Sequence, residues 1–244
     1  MSQTRRRSVA LDATAERVEV RLCCPERFNV LDIATLSDLS VTLETTPHHH
    51  RPLLLRGDGN IFSLGSDVRE LAHFTAESAE TYSRLGQQIV AALEAWPGVT
   101  IAHLTGYALG TGLELALGCD LLVADAEVRI GLPGLVWGLV PCLGGLRRLR
   151  ERVGAERAQE LFLHGQILSG SEAYGLGLVD RVIGDPDELD QFIASQAEFP
   201  GGAVQAIRSL RLDRLGRRDI DMEAELFAQP FTQGECQRRL RQLL

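Results

Sequence analysis

The chain has no lysine: all 25 of its basic residues are arginine. This excludes a lysine Schiff base, a P-loop lysine and any other mechanism that needs an ε-amine. Basic residues are outnumbered by 33 acidic ones, for a formal charge of −8, and a nucleic-acid-binding chain would carry the opposite bias. No run reaches the roughly 20 apolar residues of a membrane span. The richest stretch, 108–126, is broken by Glu114, Asp120 and Asp125. The N-terminus opens basic at Arg5, Arg6 and Arg7, but the apolar segment of a secretory signal does not follow. Cysteine is sparse: Cys23, Cys24, Cys119, Cys142 and Cys236 fit neither a C-x-x-C pair nor a zinc spacing, and read as small core residues with reduced thiols. A dinucleotide fingerprint is also missing, since Gly106, Gly110 and Gly112 have the wrong spacing, and there is no Gly-x-Ser-x-Gly elbow. A soluble, cytoplasmic, metal-free protein is expected.

What is present suits a globular fold. The 244 residues are 45% hydrophobic and 24% charged, and a chain of this size buries roughly 70–75% of its unfolded surface without staples. Residues 8–14 and 17–22 alternate polar and apolar, the period of half-buried strands, with a turn at Ala15-Glu16. A helix is expected over 32–43, then a polar loop holding His48, His49 and His50. Consecutive residues do not share a helix face, so this tract reads as solvated loop and not as a metal site. Apolar strands at 53–57, 99–104, 121–124 and 179–183 alternate with helices at 76–95, 113–117, 146–153 and 155–163. Ser169 and Glu172 mark a capped short helix. From 187 onward the pattern is helical, over 187–198, 202–211 and 222–243. This alternation predicts an α/β fold with parallel strands.

Two loops follow an apolar strand and open into a helix: Phe62-Ser63-Leu64-Gly65-Ser66-Asp67-Val68 and Gly106-Tyr107-Ala108-Leu109-Gly110-Thr111-Gly112. Glycine-rich turns of this kind aim backbone N–H groups at a ligand, and the helix dipole adds positive potential. Side by side they can form an oxyanion hole. Glu114, in the helix after the second loop, stands close enough to serve as general acid or base.

These loops and their neighbours resemble the crotonase (enoyl-CoA hydratase/isomerase) superfamily over nearly the whole chain. Pro25-Glu26-Arg27-Phe28-Asn29-Val30-Leu31 is similar to the family's early motif, with Cys24 in place of its arginine. Phe62 to Val68 is similar to Phe-x-x-Gly-x-Asp-Leu. Gly106 to Ala116 with Cys119-Asp120 is similar to the central Gly-x-Ala-x-Gly-Gly-Gly-x-Glu-Leu-Ala…Cys-Asp. Pro141, Gly144, Gly145, Arg148 and Leu149, and then Gly165, Ala173, Gly175, Leu176, Gly177, Leu178 and Val179, continue it in order. The resemblance implies a spiral of ββα units over 1–186 and a helical trimerisation region over 187–244, in homotrimers or hexamers. It implies an acyl-CoA or acyl-carrier thioester as substrate, with coenzyme A entering as part of that substrate and no other cofactor. Ser66 and Thr111 would donate their N–H groups to the thioester oxygen, and Glu114 would be the acid/base of an enolate reaction. Arg27, with the Ser66, Asp67 and Val68 backbone, would hold the nucleotide end.

Two departures bear on chemistry. The family's second glutamate falls on Gly134, which has no side chain, and Thr111 replaces a glycine, placing a β-branched side chain where the thioester approaches. Asp67 and Asp120 read as structural; Glu70 follows the first donor, Tyr82, His73 and His103 are candidates by chemical type alone, with His103 on an apolar strand reading as a core residue, and Cys142 stands near the acyl pocket. The readings left open are a hydratase or isomerase working with Glu114 alone, a decarboxylase or dehydratase of a polyketide-type pathway, and an inactive acyl-CoA-binding or assembly subunit.

Overall fold

The computed structural model describes residues 8–47, 50–199, 201–211, 217–232 and 234–244. Arg5, Arg6, Arg7, His48 and His49 lie outside them. Strands β1 (Val9–Ala13), β2 (Val18–Leu22), β3 (Leu53–Gly57), β4 (Thr100–Leu104), β6 (Leu121–Asp125) and β9 (Arg181–Ile183) form one sheet in that order. β1 and β2 pair antiparallel as a hairpin; every later neighbour in the sheet is parallel. A second sheet joins β5 (Tyr107–Leu109), β7 (Arg129–Gly131) and β8 (Ile167–Ser169). The helices are α1 (Ile33–Thr45), α2 (Val68–Leu71), α3 (Ala76–Glu94), α4 (Thr111–Ala116), α5 (Gly145–Val153) and α6 (Ala155–His164). They are followed by α7 (Gly170–Gly175), α8 (Pro186–Gln196), α9 (Gly201–Arg211), α10 (Arg217–Thr232) and α11 (Glu235–Arg241). This is the mixed α/β spiral with a helical C-terminal region that the sequence implies.

The central strands are apolar throughout because both sheet faces are covered. Leu53 and Leu55 join the main core, while Leu54 between them points to a smaller cluster on the opposite face, closed by Leu189 and Ile193 of α8. α1 and α3 pack over the main core, and α10 lies along α3. There Phe74 meets Phe231 and Tyr82 meets Phe227 of α10 at ring-centroid distances of 5.9 and 6.1 Å, within the range of favourable aromatic pairs. Local signals explain the helix starts. Asp32 accepts from the Thr35 N–H at 2.7 Å, and Ser169 and Glu172 form a reciprocal capping box.

Three expectations are corrected. β5, read as loop, is a strand of three residues paired with β7, and β7 and β8 are equally short strands, too short for a period of two to register in sequence. α4 begins at Thr111 and not at 113, because Gly110 takes φ 52°, ψ −128° and lets the chain turn directly from strand into helix. The final helix is two helices, α10 and α11, divided after Pro230 by Gly234. Cys119, Cys142 and Cys236 are buried, Cys23 and Cys24 half-buried, and all five are unpaired. Asp120 is structural as expected: it accepts from Thr100 N–H and hydroxyl and from Arg208.

Candidate active site

The two glycine loops meet backbone to backbone. Ser63 donates its N–H to Tyr107 O and accepts from the Leu109 N–H on its own carbonyl, each near 3 Å, while Leu31 N–H closes on Gly65 O at 2.8 Å. Gly65 sits at φ +90°, and a Cβ there would lie 2.5 Å from Leu109 O and 3.1 Å from Thr111 N. Contact this close requires glycine. It brings the amides of Ser66 and Thr111 together. Thr111 is the first residue of its helix, so its N–H has no partner within the helix. Among the described residues neither amide donates to a protein acceptor.

Behind these amides runs a chain of hydroxyls. Ser66 Oγ lies 2.9 Å from Thr111 Oγ1 and 2.9 Å from Tyr82 Oη, and Tyr82 Oη also lies 2.8 Å from Leu31 O. The Thr111 hydroxyl is thus drawn onto the loop that carries the other donor. Tyr82 is fully buried, and burial pushes its phenol well above its ordinary range. It braces the donors from behind and does not line the cavity.

Glu114 lies in the first turns of α4 and is 2% exposed. Its Oε2 accepts from the N–H groups of Cys142 (3.0 Å), Leu143 (2.8 Å) and Gly145 (3.0 Å). Oε1 has one longer contact, 3.3 Å from Cys142 N, which leaves it the oxygen free to exchange a proton. Burial pushes this carboxyl up to about 8; the nearby Glu223 carboxylate raises it further, and the three N–H donors oppose the rise. Gly145 has no room for a side chain here, since a Cβ would fall 2.3 Å from Glu114 Cγ.

Ser66, Thr111, Glu114, Arg27, Asp67 and Val68 all line one cavity of about 980 Å³. Leu132, Trp137, Leu139, Phe162 and Phe227 give it an apolar wall. At the rim, Arg27 has its side chain 46% exposed and bridges Asp32 at 3.0 Å and Asp67 at 2.6 Å. Asp67 also caps α2 through the Arg69 N–H, the structural part expected of it. Asn29 anchors this loop, accepting from Cys24 N–H and donating to Asp58 O and Ile61 O. Gly134 lines the cavity too, so the acid missing from the sequence is missing from the wall.

Of the other candidates, Glu70 and His103 fall elsewhere. Glu70 accepts from the Ile33 N–H at the start of α1, and His103 Nε2 lies 3.2 Å from Asp125 Oδ1 on the main sheet. His73 lines the cavity, with Nδ1 2.8 Å from Arg69 O. Burial pushes the Cys142 thiol well up, and its part in the site is played by its N–H. Sequence reasoning missed Glu223 and Phe227. They stand one helical turn apart on α10, a shared face that the 3.6-residue period reveals only once α10 is known to fold back on α3.

A family model described as enoyl-CoA hydratase/isomerase matches residues 13–239. The chain is 38% identical over 159 residues to a probable enoyl-CoA hydratase of Mycobacterium tuberculosis, EchA17; the match covers 65% of this chain and 61% of that protein. It therefore spans about three fifths of the length of that relative. It is 36% identical over 188 residues to a probable enoyl-CoA hydratase of Bacillus subtilis, covering 75% of this chain and 72% of the relative. Its fold superposes on the crystal structure of enoyl-CoA hydratase from Thermoplasma volcanium with a TM-score of 0.83 at 28% identity, over all of both chains. Paired amide donors beside a buried glutamate, on a fold matched along almost its whole length, assign the chain to the enoyl-CoA hydratase/isomerase family.

Proposed function

We propose that this chain is an enzyme of acyl thioesters, a lyase or isomerase that works through an enolate with Glu114 as its one acid/base. The observation that carries this reading is the convergence, at one cavity, of two unpartnered N–H donors and one buried carboxyl. The thioester oxygen would accept from Ser66 and Thr111 N–H, and these fixed donors stabilise the negative charge that grows there as the enolate forms. In hydration, water would add to Cβ, giving its proton to Glu114 Oε1, and the same oxygen would return a proton to Cα. In double-bond movement, Oε1 would take a proton from one carbon and return it to another. Both schemes balance with one carboxyl. The apolar wall would receive the acyl chain, and Arg27 with the Ser66–Val68 backbone, at the rim of the same cavity, would hold the nucleotide end of coenzyme A. No cofactor beyond that thioester is invoked.

A second reading is favoured by one observation, the empty position at Gly134: an acyl-CoA-binding or assembly subunit without turnover, or a decarboxylase or dehydratase of a polyketide-type pathway, which needs the oxyanion donors more than two acids. We also propose a homotrimer or a dimer of trimers, organised as a core over 1–186 and an oligomerising helical region over 187–244. Support comes from the last strand ending at Ile183 and from exposed Ile207, Met222 and Leu226 on the helices that follow. A cytoplasmic location fits a chain in which, among the described residues, no helix is long and apolar enough to cross a membrane.

The test is loss of the enoyl-thioester absorbance with crotonyl-CoA and a longer enoyl-CoA. Wild type should consume the band, and Glu114→Gln should lose about 10²–10⁴-fold in rate, the usual yield of one acid/base, while still binding coenzyme A thioesters. A wild type that binds but turns over no thioester overturns the enzyme reading in favour of the binding one.

A further inference from the structure

Two carboxylates, and not one, end on the turn before α5. The N–H groups of Cys142, Leu143 and Gly145 go to Glu114, and the N–H of Gly144 among them goes to Oε1 of Glu223. Residues 143, 144 and 145 are consecutive, with Cα atoms about 3.8 Å apart, so the two carboxyls are close neighbours. They arrive from different elements, Glu114 from α4 and Glu223 from α10. Glu223 lies one turn before Phe227, which lines the cavity, so α10 turns the same face to the site.

The other charged groups nearby are few. α5 presents Arg147 and Arg148 to Glu223. Arg148 is held by Glu94 of α3 and by Leu143 O, and Arg147 lies 3.0 Å from Glu151. α3 adds the buried Tyr82 and Arg84, which is paired with Glu80 and with Asp221 of α10. The turn itself adds the Cys142 thiol. No cation among these bonds to Glu114.

We infer that Glu223 is a positioning residue for the reaction of Glu114: the two carboxyls share one turn, and the negative charge on Glu223 keeps the proton on Glu114. Resting on the thioester reading above, this makes α10 part of the active site. It also makes Glu114 the stronger base, one that takes the proton of water or of carbon and holds it until it is returned to the substrate. Glu223 is raised as well, though less firmly. Burial raises it, but the Gly144 N–H and the two arginines pull it back. A coupled pair of this kind titrates in two separated steps.

The experiment is an infrared difference titration of the carboxyl C=O band on the full chain, with kcat/KM followed against pH in parallel. Wild type should show a carboxyl that titrates near 8 and is absent in Glu114→Gln. In Glu223→Gln, which keeps an acceptor for Gly144 N–H and removes only charge, that titration should move down by roughly one pH unit. The rising limb of kcat/KM should move with it. Should Glu223→Gln fail to fold, Glu223→Asp and Glu223→Asn form a matched pair of equal length. Asp should keep the wild-type titration and Asn should lower it. A Glu114 titration unmoved, to within about 0.3 pH unit, by loss of the Glu223 charge overturns the inference. If wild type turns over no thioester at all, the thioester reading fails, and the infrared titration still decides the pairing.

Discussion

The two walls of the cavity are built on different principles. One is made of backbone. Ser66 and Thr111 offer N–H groups at two strand-to-helix turns, held by Gly65 and Gly110 in conformations that other residues resist. The other is made of side chains and of distant chain: Glu114, the 142–145 turn, Glu223 of α10, and Trp137, Phe162 and Phe227. The difference governs what substitution can do. Threonine replaces a glycine of the family pattern at 111, yet the amide survives, because every residue but proline has one. Glycine at 134 removes an acid outright, because that function lived in a side chain. The backbone wall is robust to residue type and sensitive to conformation; the side-chain wall is the reverse.

The sharpest way to break this contrast is Gly65→Val. Its Cβ would press within 2.5 Å of Leu109 O, so the two donors should separate and kcat should fall by about 10²–10³, the value of an oxyanion donor. Thr111→Gly, in the same wall, should keep at least wild-type kcat. Equal losses in the two variants would show that residue type matters there after all.

The side-chain wall should be read through pH. Glu114 titrates at about 8 in the folded chain against 4.5 for an ordinary glutamate. The folded state then binds a proton that the unfolded state releases. Stability is full below the ordinary carboxylate range and is lost as pH rises toward 8, at about 1.4 kcal/mol per pH unit. Glu223, also raised, acts in the same direction. Tm measured from pH 5 to 8 should fall in wild type and flatten in Glu114→Gln; parallel slopes would remove Glu114 as the cause.

A smaller effect comes from restoring an acid. Position 134 has an ordinary φ, and a Cβ there would meet only Leu139, tightly at its Cβ (3.2 Å) and in ordinary contact at its O and Cδ1, a contact that a slight shift relieves. Gly134→Glu should raise hydration of crotonyl-CoA by about tenfold, a modest share of what a well-placed acid supplies. No gain in kcat would mean that the coupled pair on the α5 turn already meets the need. The smallest effect is expected from Tyr82→Phe, which removes the brace behind Ser66. It should cost about 1–2 kcal/mol by thermal unfolding, as a lost buried hydrogen bond does, with little change in kcat while Ser66 stays in place.

Much of this was readable before any coordinates. Residues 53–57 are a strand because Leu53, Leu54 and Leu55 are apolar on both faces, and the sheet covers both faces. Asp32 and Ser169 announce helix starts through their side-chain oxygens. The two glycine loops and Glu114 could be paired because a turn from strand to helix exposes amides wherever it occurs. What escaped notice had no local signature. A three-residue strand such as β7 exists because its neighbours pair with it. Glu223 looks like any acidic residue on a helix until α10 lies against α3.

By itself the sequence determined the alternation of strands and helices, the positions of the two donor turns, and the loss of an acid at Gly134, because each depends on backbone conformation or on the presence of one side chain. Only the tertiary structure decided that Glu114 is held by the turn before α5, and that a second carboxylate from the far end of the chain ends on that same turn. The physical reason is that burial and charge coupling act through space, between residues 31 and 109 positions apart in the chain, and no local pattern carries that distance.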